Sequence, residues 1–378
     1  MISIQSLYKM LFFLTTVFFA LSPLKISATN YILRIPALII ILILISKLYS
    51  QTSRKCTLSV ITLVIIFLLH FVADTPITFD IFLSCFSLIA YLLLIIVSDT
   101  IFLRQDTYKF INLCSIGAAL ILVVYSISSI SHLATFEGYT YQSPYLTYGF
   151  DNSNYAGIIT LLVYSLLFLT MKTAGKKVKK LCILLEIALF YLIYQTNARS
   201  ALAIAILIPF LNILFNRFTL KNWILFFIIL IPFLFVPLYL KLGASGNIDD
   251  VQIMGKSIMS GRQLVYTTYI ERLRSPYDWL IGNLSENKLM NAHNGPLAIL
   301  SSCGLLGCIS YFYIYLSKLF RANQLAKSHI NKMAVFIIAA CFLNTCGEAA
   351  LLLGGFPAIT YLFTFFLFAN SNNKNQTA

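Results

Sequence analysis

Residues 172–215 read KTAGKKVKKLCILLEIALFYLIYQTNARSALAIAILIPFLNILF and show how the whole chain is organised. A lysine-rich loop precedes an apolar run that is long enough to cross a bilayer. A second apolar run follows after a turn of only a few residues, which contains Arg199. Because the bilayer core offers no water to bond the backbone, such runs are expected to be helices. The stretch therefore predicts two membrane-spanning helices joined by a tight turn.

The same alternation of apolar runs and short loops continues through the 378 residues. Hydrophobic residues make up 59% of the chain and charged residues only 11%, whereas a soluble domain carries about a quarter charged residues. The sequence predicts an all-α, polytopic integral membrane protein with a single transmembrane domain over 1–378 and about twelve transmembrane helices. The apolar runs lie near 8–22, 31–49, 57–73, 81–97, 110–130, 154–171, 181–197, 200–216, 222–240, 295–317, 333–352 and 354–369.

The charges of the short loops predict which side of the membrane each loop faces. The loops 47–55, 172–180, 216–222 and 318–332 are basic, and twelve spans place all of them on one side. By the positive-inside rule this side is the cytoplasm, so both termini are expected to be cytoplasmic. The net charge of +14 is then explained by topology, and no nucleic acid partner is expected.

Two long loops are expected on the opposite, periplasmic side. One is 131–153, which contains four tyrosines, and the other is the large loop 241–294 between the ninth and tenth spans. Within the large loop, 260–280 has apolar residues at helical spacing, interrupted near Pro276, which predicts a helix lying along the membrane interface. Loops of this length in a compact protein are candidates for function.

Arg199, Arg262 and His293 form the main candidate site, because the predicted topology brings all three to the periplasmic face. Arginine binds a diphosphate through forked, charge-assisted hydrogen bonds, and stabilises the negative charge on a departing diphosphate. Histidine can take a proton from an attacking sugar hydroxyl. The chain has no Asp-x-Asp pair for a metal–nucleotide complex, and Asp249 and Asp250 are interpreted as a solvated loop pair. A lipid-diphosphate donor is therefore predicted, with no metal and no cofactor.

Further polar residues are secondary candidates. Glu348 lies near the outer end of the eleventh span, where it is expected either to orient the main candidates or to form a structural hydrogen bond. Asn152, Asn154 and the tyrosines of 131–153 are candidates for sugar contacts, and an interfacial aromatic belt with polar turn residues is the alternative. The secondary candidates are Asn152, Asn154, Arg272, Arg274, Asn294 and Glu348.

Three short motifs resemble the bacterial O-antigen polymerase and O-antigen ligase superfamily. TNARSALAI at 196–204 resembles the family's Thr-x-x-Arg turn, and SGRQLVY at 260–266 resembles its Gly-Arg helix start. AHNGPLAILSSCGLLG at 292–307 resembles its His-Asn pair followed by an apolar stretch and Gly-x-x-Gly. YGFDNSNYAG at 148–157 is similar to an asparagine-containing segment of polysaccharide polymerases. The resemblance covers about 148–310 and the overall topology.

The resemblance implies a glycosyltransferase of the bacterial inner membrane that transfers glycans from undecaprenyl diphosphate in the periplasm, with inversion. It implies diphosphate binding by Arg199 and Arg262 and a general-base role for His293. Gly295 and Pro296 stand where ligases often carry an acidic residue, which favours a polymerase. The implied partners are undecaprenyl-diphosphate-linked oligosaccharide, membrane lipids, and chain-length regulator and flippase proteins. An O-antigen ligase that transfers polymer to lipid A–core, and a transporter or flippase for the same glycan, remain as alternatives.

Overall fold

The computed structural model describes residues 3–24, 29–49, 54–73, 78–136, 139–215, 220–244, 252–257, 261–287, 292–349 and 356–371. The helices before the large loop are α1 (Ile4–Leu21), α2 (Thr29–Leu48), α3 (Arg54–Ala73), α4 (Phe79–Val97), α5 (Gln105–Ile127), α6 (Ser153–Thr170), α7 (Lys176–Gln195), α8 (Arg199–Phe215) and α9 (Asn222–Ala244). The later helices are α10 (Arg262–Glu271), α11 (Pro276–Ile281), α12 (Leu284–Asn287), α13 (Gly295–Leu325), α14 (His329–Asn344) and α15 (Phe356–Asn370). Short 3₁₀ turns follow α1 at Ser22–Leu24 and α4 at Ser98–Thr100. The predicted pair Asp249 and Asp250 lies outside the described residues.

Seven of the described helical segments are long and apolar enough to cross a membrane, by length and composition. They are Ile4–Leu24, Cys56–Ala73, Phe79–Thr100, Gln105–Ile127, Ser153–Thr170, Asn222–Ala244 and Gly295–Leu325. Three shorter apolar helices are Arg199–Ile213, His329–Asn344 and Pro357–Asn370. A helix overlaps every predicted apolar run, so the helical membrane-protein class is confirmed, although the helix in the eleventh run, 333–352, ends at Asn344. The number of twelve spans and the sidedness of the loops stay predictions.

The outer helices expose long apolar faces that a membrane would cover. In α3 the exposed apolar residues recur every three or four positions, at Leu58, Ile61, Ile65, Leu68 and Val72. In α9 the same spacing is found at Trp223, Phe227, Ile231, Leu234, Leu238 and Leu242. Contiguous apolar faces of this length are avoided on water-exposed surfaces. They indicate contact with lipid.

The helix α6 lies inside the bundle and positions the turn before Arg199. Every residue from Ala156 to Thr170 is buried, and α6 packs against α5, α7, α8, α14 and α15. A Cβ at Gly157 would lie only 2.3 Å from the Cβ of Ala198. The missing side chain therefore lets the turn between α7 and α8 pack closely against the start of α6.

Two short antiparallel β-hairpins in the long loops were not predicted. They are β1 (Leu133–Phe136) with β2 (Tyr139–Gln142), and β3 (Gln252–Ile253) with β4 (Lys256–Ser257). In the first hairpin Leu133 lies opposite Gln142. In the second, the Met254 carbonyl accepts a hydrogen bond from Asn197 Nδ2 at 2.9 Å. This hairpin of the large loop therefore braces the α7–α8 turn.

The predicted interfacial helix over 260–280 is two helices, α10 and α11, with α11 beginning at Pro276. Tyr266 and Tyr269 of α10 are buried, and the Tyr266 ring lies 5.3 Å from the Tyr239 ring of α9. The aromatic side chains of α10 therefore face neighbouring helices of the protein. Their location at a membrane surface stays a prediction.

The helix α13 is interrupted at Gly304, where φ is 65° and ψ is −170°. A Cβ at Gly304 would lie 2.4 Å from the backbone nitrogen of Ile281, so glycine both adopts the left-handed φ and admits the end of α11. Beside the break, the Ser301 carbonyl accepts hydrogen bonds from the Asn283 backbone N–H and from Asn287 Nδ2, both at 2.8 Å. The predicted tenth span is therefore two helical segments, and the large loop packs into the break between them.

The two ends of the helix bundle are called the Glu348 end and the Lys172 end, after one residue of each. The Glu348 end carries the loops 128–152 and 261–287, and the Lys172 end carries the loop after α6. The helix α6 connects the two ends, because it begins beside Asn154 and ends two residues before Lys172. Its 18 residues separate the ends by about 27 Å.

Candidate functional site

Glu348 is the centre of the candidate site. It follows the end of α14 and is 3% exposed. Its Oε1 accepts a hydrogen bond from Asn154 Nδ2 at 2.9 Å, and lies 3.1 Å from His293 Nδ1 and 3.7 Å from Arg262 Nη2. One carboxylate oxygen thus joins the start of α6, the start of α10 and the segment before α13. Two of the three main candidates therefore contact the same secondary candidate.

His293 is oriented by this carboxylate. Because a carboxylate accepts hydrogen bonds, the contact with Glu348 places the ring hydrogen on Nδ1. A neutral ring then keeps a lone pair on Nε2, which becomes its proton acceptor. The side chain is 34% exposed, so the ring can be reached by a substrate. The backbone φ of 53° at His293 is rare for a residue with a side chain and recurs at functional sites.

Tyr266 supports the backbone of His293. Its hydroxyl reaches the His293 carbonyl at 3.2 Å and the Cys346 carbonyl at 3.4 Å. Burial raises the pKa of the Tyr266 hydroxyl above its ordinary value, so the hydroxyl stays a donor. This hydroxyl was not predicted as part of the site. The available signal was the spacing of four residues from Arg262, which places both side chains on one face of α10.

Arg199 and Arg262 lie near one another, and Arg262 pairs with Glu348. The 3.7 Å between Arg262 Nη2 and Glu348 Oε1 exceeds a hydrogen-bond distance, so the guanidinium keeps donor capacity for another anion. Arg199 lies near enough to interact electrostatically with Arg262, Tyr239 and Tyr145. Counted among themselves, Arg199, Arg262 and Glu348 carry a formal charge of +1. The region is therefore suited to a negatively charged ligand.

Gly347 makes room for the guanidinium of Arg262. A Cβ at Gly347 would lie 3.2 Å from Arg262 Nη1 and 3.6 Å from Ser200 Oγ. A side chain at this position would crowd the guanidinium, whereas its contact with Ser200 would be an ordinary one. Since Ser200 follows Arg199 directly, the same contact places the start of α8 beside α10. Neither Gly347 nor Ser200 was predicted as part of the site. For Gly347, the available signal was its place directly before Glu348 in the predicted eleventh span.

Four helices begin around the cluster. Arg199 and Arg262 are the first residues of α8 and α10, Asn154 is the second residue of α6, and His293 precedes α13 by two residues. The N-terminus of a helix carries partial positive charge and unpaired N–H groups. These four helix ends therefore add to the charge of the two arginines, as in sites that bind phosphate groups.

Asn294 and Asn152 act as helix caps. Asn294 is fully buried; its Oδ1 accepts from the Leu297 N–H at 2.9 Å and its Nδ2 donates to the Pro232 carbonyl at 3.0 Å. Asn152 is exposed, and its Oδ1 accepts from the Tyr155 N–H at 2.8 Å. The contacts assign both asparagines a structural role, at the starts of α13 and α6.

Arg272 and Arg274 contact other residues of the large loop. Arg272 Nη1 donates to the Glu286 carbonyl and to Asn287 Oδ1, both at 3.1 Å, and its guanidinium lies 5.1 Å from the Tyr269 ring. Arg274 Nη2 lies 3.6 Å from Glu286 Oε1 on the surface. Among the described residues, the contacts of both arginines stabilise the loop that carries α11 and α12 and do not involve Glu348.

The cluster combines two chemical abilities. His293 Nε2 is a proton acceptor whose ring is fixed by Glu348. Arg262 lies at the same carboxylate and Arg199 lies within electrostatic range of Arg262, with helix ends that favour negative charge. A hydroxyl that loses a proton to His293 and a leaving group that gains negative charge near the arginines would both be stabilised here.

Comparison with known proteins does not assign the chain to a family. No family model, curated protein or solved structure matches it. The three motifs therefore stand as a resemblance, and the argument for function rests on the geometry around Glu348.

Proposed function

We propose that this protein is a membrane glycosyltransferase that moves a glycan from undecaprenyl diphosphate onto a second lipid-linked glycan, as an O-antigen or related surface-polysaccharide polymerase does. The supporting observation is the 3.1 Å contact between His293 Nδ1 and Glu348 Oε1, with Arg262 at 3.7 Å from the same oxygen and Arg199 within electrostatic range of Arg262. It combines an oriented base with an anion-binding group at one end of an apolar helix bundle. This combination is what transfer from a lipid diphosphate requires.

The proposed reaction is a single displacement. A hydroxyl of the acceptor glycan attacks the anomeric carbon of the donor, and its proton passes to His293 Nε2. The new glycosidic bond forms as the bond between the anomeric carbon and the diphosphate oxygen breaks. The lipid diphosphate leaves with that electron pair, and Arg199 and Arg262 stabilise its charge. Glu348 stabilises the imidazolium that forms. Attack opposite the leaving group inverts the anomeric centre.

The proposed location of the reaction is the periplasmic face of the bacterial inner membrane. The basic segments 172–180 and 318–332 both belong to the Lys172 end, where α7 begins and α13 ends. The positive-inside rule assigns such an end to the cytoplasm. The Glu348 end then faces the periplasm, and the lipid tail of the donor stays in the bilayer beside the exposed apolar helix faces.

A transporter for the same lipid-linked glycan is the second candidate, because α13 is a broken helix and transporters bind substrates at such breaks. In this protein the break at Gly304 is occupied by the end of α11. The nearby Ser301 carbonyl is bonded by Asn283 and Asn287. The end of α11 and the loop that follows it therefore fill the space in which a transported ligand would have to bind. This favours the enzyme hypothesis over the transporter hypothesis.

The test is transfer by the purified protein in liposomes that contain undecaprenyl-diphosphate-linked oligosaccharide. We expect longer lipid-linked glycans by mass spectrometry, and a loss of about 10²- to 10⁴-fold in rate for His293→Ala. The matched control is His132→Ala, at the same end but outside the Glu348 cluster, which keeps its rate. Full activity of His293→Ala would remove the histidine from the mechanism. Movement of the glycan across the bilayer without a new bond would identify a transporter.

The phenotype of a deletion strain distinguishes a polymerase from a ligase. A deletion strain of a polymerase shows lipid A–core that bears a single repeat, whereas a deletion strain of a ligase accumulates polymer on its lipid carrier and leaves the core bare. Rescue with wild-type protein and with His293→Ala then connects the phenotype to the proposed site.

A further inference from the structure

A cleft of about 1430 Å³ lies at the Lys172 end, between the start of α1, the start of α5 and the loop from α6 to α7. It lies at the opposite end of α6 from Glu348. Its volume exceeds the roughly 300–1,000 Å³ of typical pockets for small molecules. The cleft takes no part in the proposed transfer reaction.

One wall of the cleft is positively charged. Arg104, Lys109 and Lys172 line it, and no acidic side chain is among the described residues of the lining. The nearby Asp106 pairs with Lys9. The helices α5 and α7 also begin at this wall. The N-cap residue of α5, Arg104, makes no side-chain hydrogen bond to its helix, and the N-cap residue of α7, Gly175, has no side chain. The wall therefore offers three cations and two helix N-termini to an anion.

The other wall is apolar and continues into the exposed helix surface. It includes Phe102, Leu113 and Ile116. Leu113 is 68% exposed, so the cleft opens sideways where the apolar helix faces meet lipid. A water-soluble anion would leave this wall uncovered. A molecule with both a negatively charged headgroup and acyl chains would cover both walls.

We propose that this cleft binds an anionic phospholipid from the leaflet at the Lys172 end. Its phosphate lies among Arg104, Lys109 and Lys172, and its acyl chains lie along Phe102 and Leu113. The bound lipid connects the starts of α1 and α5 to the α6–α7 loop, and so stabilises this end of the bundle.

The test uses the full chain in phosphatidylcholine nanodiscs with added phosphatidylglycerol. Native mass spectrometry counts the retained lipids, and thermal unfolding reports stabilisation. For the wild type we expect phosphatidylglycerol to be retained about tenfold or more over phosphatidylcholine. The triple variant Arg104→Gln/Lys109→Gln/Lys172→Gln is expected to lose this preference.

The matched control is Lys176→Gln/Lys177→Gln/Lys180→Gln, which removes the same charge at the same end but from residues outside the lining. It is expected to keep the preference. An equal loss in both triple variants would show general attraction to a basic surface and would overturn the proposal, as would a cleft variant that retains the lipid. If the cleft variant does not fold, Lys109→Glu alone reverses one exposed charge and is expected to weaken retention.

A further arm separates the lipid from a free phosphate. Inorganic phosphate or glycerol 3-phosphate is added to phosphatidylcholine nanodiscs at the same phosphate concentration. We expect no change in the unfolding temperature. Stabilisation by either compound that disappears in the cleft variant would assign the site to a water-soluble anion. None of these measurements depends on glycan transfer.

Discussion

The carboxylates of Asp99 and Glu348 lie at opposite ends of the bundle, and each contacts two basic side chains in a different way. Asp99 Oδ2 lies 3.0 Å from Lys318 Nζ and 2.8 Å from Arg321 Nε, both within hydrogen-bond distance. Asp99 and Lys318 are buried. The Asp99 cluster is therefore closed, because both basic groups are within hydrogen-bond distance of the carboxylate and two of the three side chains are buried.

The Glu348 cluster is more open. Arg262 lies at 3.7 Å and is 22% exposed, and His293 lies at 3.1 Å with a backbone in the left-handed region. Its basic groups keep donors and a ring nitrogen directed away from Glu348. One kind of contact, a carboxylate between two basic side chains, is thus closed and buried at the Lys172 end and looser and more exposed at the Glu348 end, where we propose that it prepares groups for a ligand.

The largest effect on stability is expected for Asp99→Asn. The substitution leaves Lys318 buried without its anion, which is expected to lower the free energy of unfolding by about 3–5 kcal/mol. Chemical unfolding of the purified protein in detergent measures the change. The control is Asp106→Asn, which removes an exposed pair with Lys9 and is expected to cost about 0–1 kcal/mol. Equal losses of stability in the two variants would show that the buried Asp99 cluster contributes no more than an exposed ion pair.

Glu348→Gln is expected to lower catalysis more than stability. Glutamine keeps an oxygen for the Asn154 amide but removes the charge that orients His293. Since a hydrogen bond to a charged group contributes about 1.5–3 kcal/mol, the turnover number should fall roughly 10- to 100-fold. Initial rates at varied donor concentration separate kcat from KM, and the loss is expected in kcat.

The control for that variant is Glu286→Gln, which removes an exposed pair with Arg274 at the same end. It should leave both kcat and KM unchanged. A Glu348→Gln protein with normal kcat would show that the Glu348 carboxylate, like that of Asp99, has no role in catalysis.

The smallest effect is expected when either of two buried hydroxyls, that of Tyr266 or that of Tyr8, is removed. Tyr266→Phe removes the bond to the His293 carbonyl, and Tyr8→Phe removes a 2.7 Å bond to Thr364 Oγ1. Each change should lower the free energy of unfolding by about 0.5–1.5 kcal/mol. We expect only Tyr266→Phe to lower the transfer rate as well. A similar rate loss in Tyr8→Phe would attribute the effect to general loosening of the bundle.

Much of the candidate site was predictable because its signals are local. Arg199 in a tight turn, Arg262 after a glycine and His293 before an apolar run are each recognised within a few residues. The contact of Glu348 with Arg262 and His293 was one of several predicted options. Asn294 was the least predictable, because a polar residue before a helix is equally suited to bind a ligand or to cap the helix.

The apolar runs alone specify the helical membrane fold, because their length and backbone hydrogen bonding act within single segments. Packing between distant segments specifies the rest. It brings Asn154, Arg262 and His293 to one oxygen of Glu348, breaks α13 at Gly304 and places the second hairpin against the α7–α8 turn. These features depend on which helices meet and how closely their backbones approach, and a contact between residues far apart in the chain leaves no pattern in the sequence near either one.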